Sequence, residues 1–215
     1  MIKRKTLNEI MEFHGSDKGA AHHGHNYCVN YEKWFEPIRD QRLLLLELGV
    51  GGEDTQLGGA SLLGWADYFL NAEILGIDIY DKSALIGDRI TTYQGSQDDA
   101  NFLTQLLDGN VPDIIIDDAS HINELTIASF KILFPLLASG GLYVIEDLTC
   151  AYRWDFGGNT NLKDMNATTI MNYLFTMLHD LNPVEIGDCN YQHNSEFKDV
   201  ESTHFYPDMV VIKKK

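Results

Sequence analysis

The sequence is short of basic residues and has no long apolar run, and each shortage excludes a class of protein. Lysine and arginine number 16 against 32 aspartate and glutamate residues, which gives a formal charge of −16 at pH 7. This charge argues against nucleic acid or a membrane surface as a partner. No apolar segment approaches the roughly 18 residues that span a bilayer, and no signal-peptide core follows the first residues, so we expect a soluble cytoplasmic protein.

Cysteine is also scarce. Cys28, Cys150 and Cys189 are widely spaced and odd in number, which predicts reduced thiols and excludes a disulfide framework or a zinc knuckle. The 215 residues, 44% of them hydrophobic, suffice for one well-cored domain but not for two. We expect a single domain made of an N-terminal lid and helix (1–40), a cofactor-binding core (41–148), and a substrate loop, helix and closing hairpin (149–215).

Apolar runs and helical periodicity alternate along most of the chain. This alternation predicts an α/β fold of the Rossmann-like kind, with a mostly parallel, doubly wound sheet that a C-terminal antiparallel hairpin closes. The predicted helices cover residues 6–13, 31–38, 61–68, 100–108, 129–137 and 167–181. The predicted strands begin at Leu43, Glu73, Arg89, Asp113 and Gly141, and the hairpin comprises residues 200–205 and 209–212.

Two of the apolar strands each end in a pair of acidic residues. The pairs are Asp117 and Asp118, followed by His121, and Glu146 and Asp147. Parallel strands aim such residues into one crevice at their carboxyl ends. Crowded carboxylates repel one another and call for a cation or for trapped protons, and oxygen ligands favour magnesium, with manganese or calcium as alternatives. The structural alternative is that Asp118 and Asp147 cap the following helices and that His121 is a surface histidine.

A glycine-rich turn follows the first strand. The pattern Glu47-x-Gly49-x-Gly51 is typical of class I S-adenosylmethionine methyltransferases, since glycines let a ligand approach the backbone. Asp78 ends the next strand, where it can accept both hydroxyls of a ribose or simply start a turn. Polar residues 95–99 can meet an adenine edge. The expected cofactor-binding residues are Glu47, Gly49, Gly51, Asp78, Ser96, Gln97 and Asp117.

Two polar segments have no periodicity and are predicted to be loops. Residues 20–27 contain three histidines without metal-ligand spacing, so a loop that folds over the ligand is favoured over a transition-metal site. We expect the segment from Gly15 to Tyr27 to be a mobile lid that becomes ordered when the cofactor binds. Residues 149–163 are aromatic and rich in glycine and asparagine, which suits a substrate loop.

Together these motifs resemble the metal-dependent sugar O-methyltransferases of macrolide antibiotic biosynthesis, the mycinamicin and demethylmacrocin O-methyltransferase group. The resembling segments, in order, are 15–19 with His25 and Tyr27, 47–52 with 58–62, 76–79, 95–98, 117–121 and 141–147. The resemblance implies that Asp118, Glu146 and Asp147 hold Mg²⁺ (or Mn²⁺), that His121 is the general base, and that Asp78 and the turn from Glu47 to Gly51 bind S-adenosylmethionine.

The predicted function is therefore methyl transfer to a hydroxyl of a sugar or glycosylated natural product. The expected acceptor is a small glycoside or another polyhydroxylated molecule. Enzymes of the family carry a further N-terminal domain that helps to assemble the oligomer, and these 215 residues do not include it; the acceptor and a homo-oligomeric state stay open. Two alternatives are a magnesium-dependent methyltransferase of catechols or polyphenols, in which the histidine matters less, and a non-catalytic S-adenosylmethionine-binding module.

Overall fold

The computed structural model describes residues 4–21, 24–52, 56–85, 87–182 and 194–215. These residues form two compact units, Met1–Ser96 and Gln97–Lys215, so the single-domain organisation stays a prediction. Within the described ranges, no helix is long and apolar enough to cross a membrane; the cytoplasmic location stays a prediction. Cys28 and Cys150 are buried thiols, whereas Cys189, His22 and His23 lie outside the described residues.

The first unit combines three helices with three parallel strands. The helices are α1 (Leu7–His14), α2 (Cys28–Phe35) and α3 (Ala60–Tyr68), and the strands are β1 (Leu44–Leu48), β2 (Glu73–Asp78) and β3 (Ile90–Gln94). Strand β2 lies between β1 and β3 and is parallel to both. Their apolar side chains and a cluster of aromatic rings around Trp65 form the core. The carboxyl ends of β1 and β2 therefore lie side by side.

The described residues of the second unit form three α-helices and four strands. The helices are α4 (Ala100–Leu106), α5 (Asn123–Leu133) and α6 (Ile170–Asp180), and the strands are β4 (Ile114–Asp117), β5 (Leu142–Ile145), β6 (Val200–Tyr206) and β7 (Met209–Lys214). Strands β4 and β5 are parallel, β7 is antiparallel to β5, and β6 and β7 form the expected hairpin. All residues of β4 and β5 are buried, as expected of continuous apolar runs.

Helix α5 differs from its prediction. It begins at Asn123 and ends at Leu133, and Phe134–Leu136 continue it as a 3-10 turn around Pro135. The first turn of α5 was missed because it buries the polar residues Asn123 and Thr126, which break the apolar periodicity. Its end was placed too late because proline removes a backbone donor and cannot continue an α-helix.

The other segments differ less from their predictions. Helix α2 begins three residues before Tyr31, and Glu36–Ile38 follow it as a 3-10 turn that contains Pro37. The predicted substrate loop contains two short 3-10 helices, Leu148–Tyr152 and Trp154–Phe156. In the predicted lid, Ser16 and Lys18 are buried; ordering of this segment on cofactor binding stays a prediction.

Candidate active site

The two acidic pairs at the ends of β4 and β5 each contain one buried and one accessible member. Asp117 and Glu146 are only 2% and 3% exposed. The side chains of Asp118 and Asp147 are 22% and 20% exposed. Each doublet thus supplies one carboxylate to the interior and one to the solvent-accessible strand end. Asp118 and Asp147 are the carboxylates that a ligand can reach.

His121 joins the two accessible carboxylates. Its Nε2 lies 3.2 Å from Asp147 Oδ2 and 4.0 Å from Asp118 Oδ1. One potential ligand atom of each residue lies within 4.8 Å of those of the other two. Glu146 does not belong to this group, and its predicted role as a metal ligand stays a prediction. Three side chains from the ends of two adjacent strands thus converge at one place.

The backbone is strained at two members of this cluster. His121 and Asp147 adopt left-handed conformations, with φ values of 55° and 54°. Such a conformation costs a non-glycine residue on the order of 1–3 kcal/mol and persists where the surrounding structure enforces it, commonly at functional sites.

The alternative that the carboxylates cap helices is not what the structure shows. The residue that precedes α5 at its N-terminus is Ile122, and no side chain caps this end. Asp147 directly precedes the 3-10 helix Leu148–Tyr152, but its side chain makes no capping hydrogen bond. The two accessible carboxylates are therefore not explained by helix termination.

Asp117, the buried member of its pair, belongs to an internal network. Its Oδ2 accepts hydrogen bonds from Ser129 Oγ and, at 3.4 Å, from the Tyr143 hydroxyl, and its Oδ1 lies 3.4 Å from Gln97 Nε2. Gln97 Oε1 in turn accepts from Ser120 N at 3.1 Å. Burial raises the pKa of Asp117 to about 7. These contacts support the loop that carries Asp118 and His121; cofactor binding by Asp117 and Gln97 stays a prediction.

The glycine turn of the first unit is held by a carboxylate. Asp78 Oδ2 accepts a hydrogen bond from Val50 N at 2.9 Å, and its Oδ1 accepts one from Tyr80 N at 2.9 Å. Gly49 and Gly51 have φ values of 88° and 74°, which other residues rarely adopt. The carboxylate at the end of β2 is thus fixed beside the turn after β1. Ribose binding by Asp78 and cofactor contacts of Gly49, Gly51 and Ser96 stay predictions.

Glu47, a predicted cofactor residue, lies fully inside the first unit. Its Oε2 accepts a hydrogen bond from Trp65 Nε1 at 2.7 Å, and its Oε1 lies 3.3 Å from Lys18 Nζ. Both charged side chains are buried. These contacts connect the motif at residues 15–19 to β1, and cofactor binding by Glu47 stays a prediction.

Sequence reasoning missed Lys18, Lys82 and Asn123 as supporting residues. Lys82 is buried and donates to the carbonyl oxygens of Gly52 and, at 2.8 Å, Gln56. Asn123 is also buried. Its Nδ2 donates to Phe156 O at 2.8 Å and Cys150 O at 3.4 Å, and its Oδ1 accepts from Ile170 N at 2.7 Å. The only sequence signal for a supporting role of Asn123 is that it is polar and lies two positions after His121. The sequence does not indicate which groups Asn123 contacts.

No family model matches the chain, but curated proteins do. The 8-demethyl-8-(2-methoxy-alpha-L-rhamnosyl)-tetracenomycin-C 3'-O-methyltransferase of Streptomyces olivaceus is 41% identical over 177 residues, 81% of this chain and 45% of that protein. The 8-demethyl-8-alpha-L-rhamnosyl tetracenomycin-C 2'-O-methyltransferase of the same organism is 37% identical over 94% of this chain and 53% of that protein. The chain spans about half the length of the curated relatives that it matches.

A solved structure is similar over almost the whole chain. The MycE methyltransferase of the mycinamycin biosynthetic pathway, in complex with Mg, SAH and mycinamycin VI, matches 99% of this chain and 55% of that chain with a TM-score of 0.88 and 33% identity. This similarity confirms the expected Rossmann-like methyltransferase fold, including the parallel strands and the C-terminal antiparallel hairpin.

Proposed function

We propose a function from the premise that the chain belongs, over the region that it matches, to the family of these sugar O-methyltransferases. The chain transfers a methyl group from S-adenosylmethionine to a sugar hydroxyl of a glycosylated natural product, with the aid of a divalent cation, Mg²⁺ first. The relatives' names supply the acceptor class, and MycE, solved with Mg and SAH, supports the donor and the cation. The observation that carries the proposal is the convergence of Asp118, His121 and Asp147.

The chemistry of the cluster fits a hard divalent cation. The Asp118 and Asp147 carboxylates offer oxygen ligands within 4.8 Å of each other and of a His121 ring nitrogen, and carboxylate oxygen is a preferred ligand of Mg²⁺; the imidazole then stays available as a base beside the cation. Each side chain is about one-fifth exposed, so the site is open to an acceptor. A divalent cation there would supply Lewis acidity that lowers the pKa of an acceptor hydroxyl.

His121 and Asp147 then carry out the proton transfer that the reaction needs. A sugar hydroxyl at the cluster meets His121 Nε2, which takes the hydroxyl proton as the general base. Asp147 Oδ2, at 3.2 Å from Nε2, stabilises the imidazolium that results. The acceptor oxygen forms a bond to the methyl carbon, the carbon–sulfur bond breaks, and its electron pair stays on sulfur. No covalent enzyme intermediate is needed.

The first unit provides groups suited to the donor. The Asp78 carboxylate is oriented by two backbone amides and keeps lone pairs for the ribose hydroxyls. The glycine turn beside it leaves space for a ligand: a Cβ placed on Gly51 would have no atom within 4 Å. These features support binding of an adenosyl group at the ends of β1 and β2.

The experiment uses two acceptors and a chelator. Purified protein receives S-adenosylmethionine with either 8-demethyl-8-α-L-rhamnosyl tetracenomycin C or a simple catechol, in MgCl₂, MnCl₂ or excess EDTA. We expect S-adenosylhomocysteine and a methylated rhamnoside with the cations and neither with EDTA. Full activity in EDTA would refute the metal role. Methylation of the catechol alone would favour the alternative of a catechol or polyphenol methyltransferase. Binding of S-adenosylmethionine without methylation of either acceptor would favour a non-catalytic binding module.

A further inference from the structure

Trp154 differs from the other tryptophans of the chain. Its residue surface is 88% exposed, whereas Trp65 is completely buried. An exposed indole gains no stabilisation from the core, and large exposed apolar groups commonly mark binding sites. Leu162 and Met165, also well exposed, lie in the loop that follows. The segment therefore offers apolar surface that folding of this unit does not use.

The turn that carries Trp154 is well ordered by hydrogen bonds. Gly158 N donates to Arg153 O at 2.7 Å, and Asn159 N donates to Ala151 O at 3.0 Å. The buried Asn123 amide holds Phe156 O and Cys150 O. The indole thus projects from a backbone that is fixed on both sides, and a ligand would not have to order it.

The same turn lies beside the carboxylate–histidine cluster. It follows Asp147 after the 3-10 helix Leu148–Tyr152, and the ring centroid of Phe156 lies 6.3 Å from that of His121. Trp154 is two residues from this phenylalanine. Its position suits contact with a part of the acceptor next to the reacting sugar, rather than with the sugar hydroxyl itself.

We propose that Trp154 is a specificity-determining residue that binds the apolar aglycone of the acceptor glycoside. This inference rests on the proposed function. A polycyclic or macrocyclic aglycone has flat or curved apolar faces that an exposed indole can cover, and aromatic side chains do so at little entropic cost because they have few rotatable bonds. The relatives' names describe glycosides of this kind. Trp154 thereby distinguishes an aglycone-bearing sugar from a free sugar.

The test is calorimetric titration with two ligands that share a sugar. Protein saturated with S-adenosylhomocysteine and MgCl₂ is titrated with 8-demethyl-8-α-L-rhamnosyl tetracenomycin C and with methyl α-L-rhamnoside. For Trp154→Ala, we expect the Kd of the first ligand to rise about tenfold, the size of effect that a central aromatic contact commonly has, and that of the second to stay unchanged. Trp154→Phe should recover most of the affinity. Phe13→Ala, which removes another exposed ring (71% exposed), should change neither Kd.

Unchanged affinity of Trp154→Ala for the polycyclic glycoside would overturn the inference, as would an equal loss for both ligands. An exposed apolar residue can also mediate self-association, which sedimentation of the unmodified protein and of Trp154→Ala would detect. Loss of self-association with unchanged affinity for the glycoside would assign Trp154 to a protein interface and overturn the inference. Failure of the proposed function looks different, because the unmodified protein would then release no S-adenosylhomocysteine with either ligand, whatever the Kd values.

Discussion

The two units present their strand ends in different ways. In the first unit, the end of β1 is a backbone turn with left-handed glycines, fixed by Asp78 and supported from inside by the Lys18–Glu47 pair. In the second unit, the ends of β4 and β5 present the side chains of Asp118, His121 and Asp147, and the backbone is left-handed at the last two. A site built from backbone depends on its buried supports, whereas a site built from side chains depends on the identity of each group. Substitutions should therefore damage folding in the first case and chemistry in the second.

The largest effect is expected at the side-chain site. His121→Ala should lower kcat by about 10²–10⁴-fold, the usual contribution of a general base, because no group then accepts the hydroxyl proton at the former Nε2 position. The magnesium concentration for half-maximal rate should change little. Steady-state kinetics with a rhamnosyl acceptor at several MgCl₂ concentrations measure both quantities.

Asp118→Asn is the matched variant for this prediction. It keeps the size of the side chain but removes a charge that would bind the cation, so the half-maximal magnesium concentration should rise. An Asp118→Asn protein with a normal magnesium response would place the cation elsewhere. A fully active His121→Ala protein would assign proton removal to another base.

The next largest effect is a loss of stability, expected when the buried Lys18–Glu47 pair that supports the turn after β1 is broken. Lys18→Met should lower the free energy of unfolding by about 3–5 kcal/mol, because it leaves the Glu47 carboxylate buried without its cation. Urea unfolding followed by circular dichroism measures this loss. Adding Glu47→Gln to the variant should restore much of the stability, since position 47 then carries no charge that needs a partner.

Lys131→Met provides the control for Lys18→Met. Lys131 Nζ lies 3.5 Å from Glu196 Oε1, and both side chains are more than one-third exposed, so its loss should cost only about 0–1 kcal/mol. Equal effects of the two lysine variants would contradict the idea that burial makes the Lys18 pair important.

Asp78→Ala tests ligand binding at the backbone site. Loss of the carboxylate should weaken binding of S-adenosylhomocysteine by about 2–3 kcal/mol, the contribution of a charge-assisted pair of hydrogen bonds. The variant also removes the acceptor of Val50 N and Tyr80 N, so Asp78→Asn, which keeps a side-chain oxygen, should lose less. Calorimetric titration of both variants with S-adenosylhomocysteine measures these affinities. An affinity of Asp78→Ala within twofold of that of the unmodified protein would reject the assignment of Asp78 to the ribose.

The strands and their acidic ends could be predicted from the sequence because a continuous apolar run bounded by polar residues is compatible with little else than a buried strand. Strand β4 and the hairpin were predicted almost to the residue. The doublets Asp117–Asp118 and Glu146–Asp147 were also recognised, but which member faces the interior depends on the backbone beyond each strand end. Asp and His are enriched among the non-glycine residues that adopt a left-handed conformation, but the chain contains eight histidines and many aspartates, so residue type alone does not single out His121 and Asp147.

Buried polar partners could not be predicted for a related reason. Lys18 and Glu47 are 29 positions apart in sequence, and their pairing depends on how residues 15–19 pack against β1. Helix α5 buries Asn123 and Thr126 where periodicity calls for apolar residues, so its first turn resembles a loop. Such contacts are decided by tertiary packing, which local patterns do not encode.

The smallest effect is expected at Asn123, where the side-chain site also has an internal support. Asn123→Ala removes the amide that donates to Phe156 O and Cys150 O and the oxygen that accepts from Ile170 N, without introducing a charge. Losing these hydrogen bonds should cost about 1–3 kcal/mol of stability and shift the turn beside His121, so kcat should fall about tenfold, since catalysis is sensitive to small displacements. The affinity for S-adenosylhomocysteine should be unchanged.

A part-buried amide in the same unit separates positioning from stability in the Asn123 prediction. Asn172 Nδ2 donates to Asp164 O at 3.0 Å and Ala167 O at 2.8 Å, so Asn172→Ala also removes two donor contacts, but these hold residues 164–167 and not the carbonyl groups of Cys150 and Phe156. It should lower stability without lowering kcat below the melting transition. If both variants lose kcat in proportion to their loss of stability, Asn123 supports only the fold; if Asn123→Ala alone loses kcat at matched stability, its amide positions the turn for catalysis.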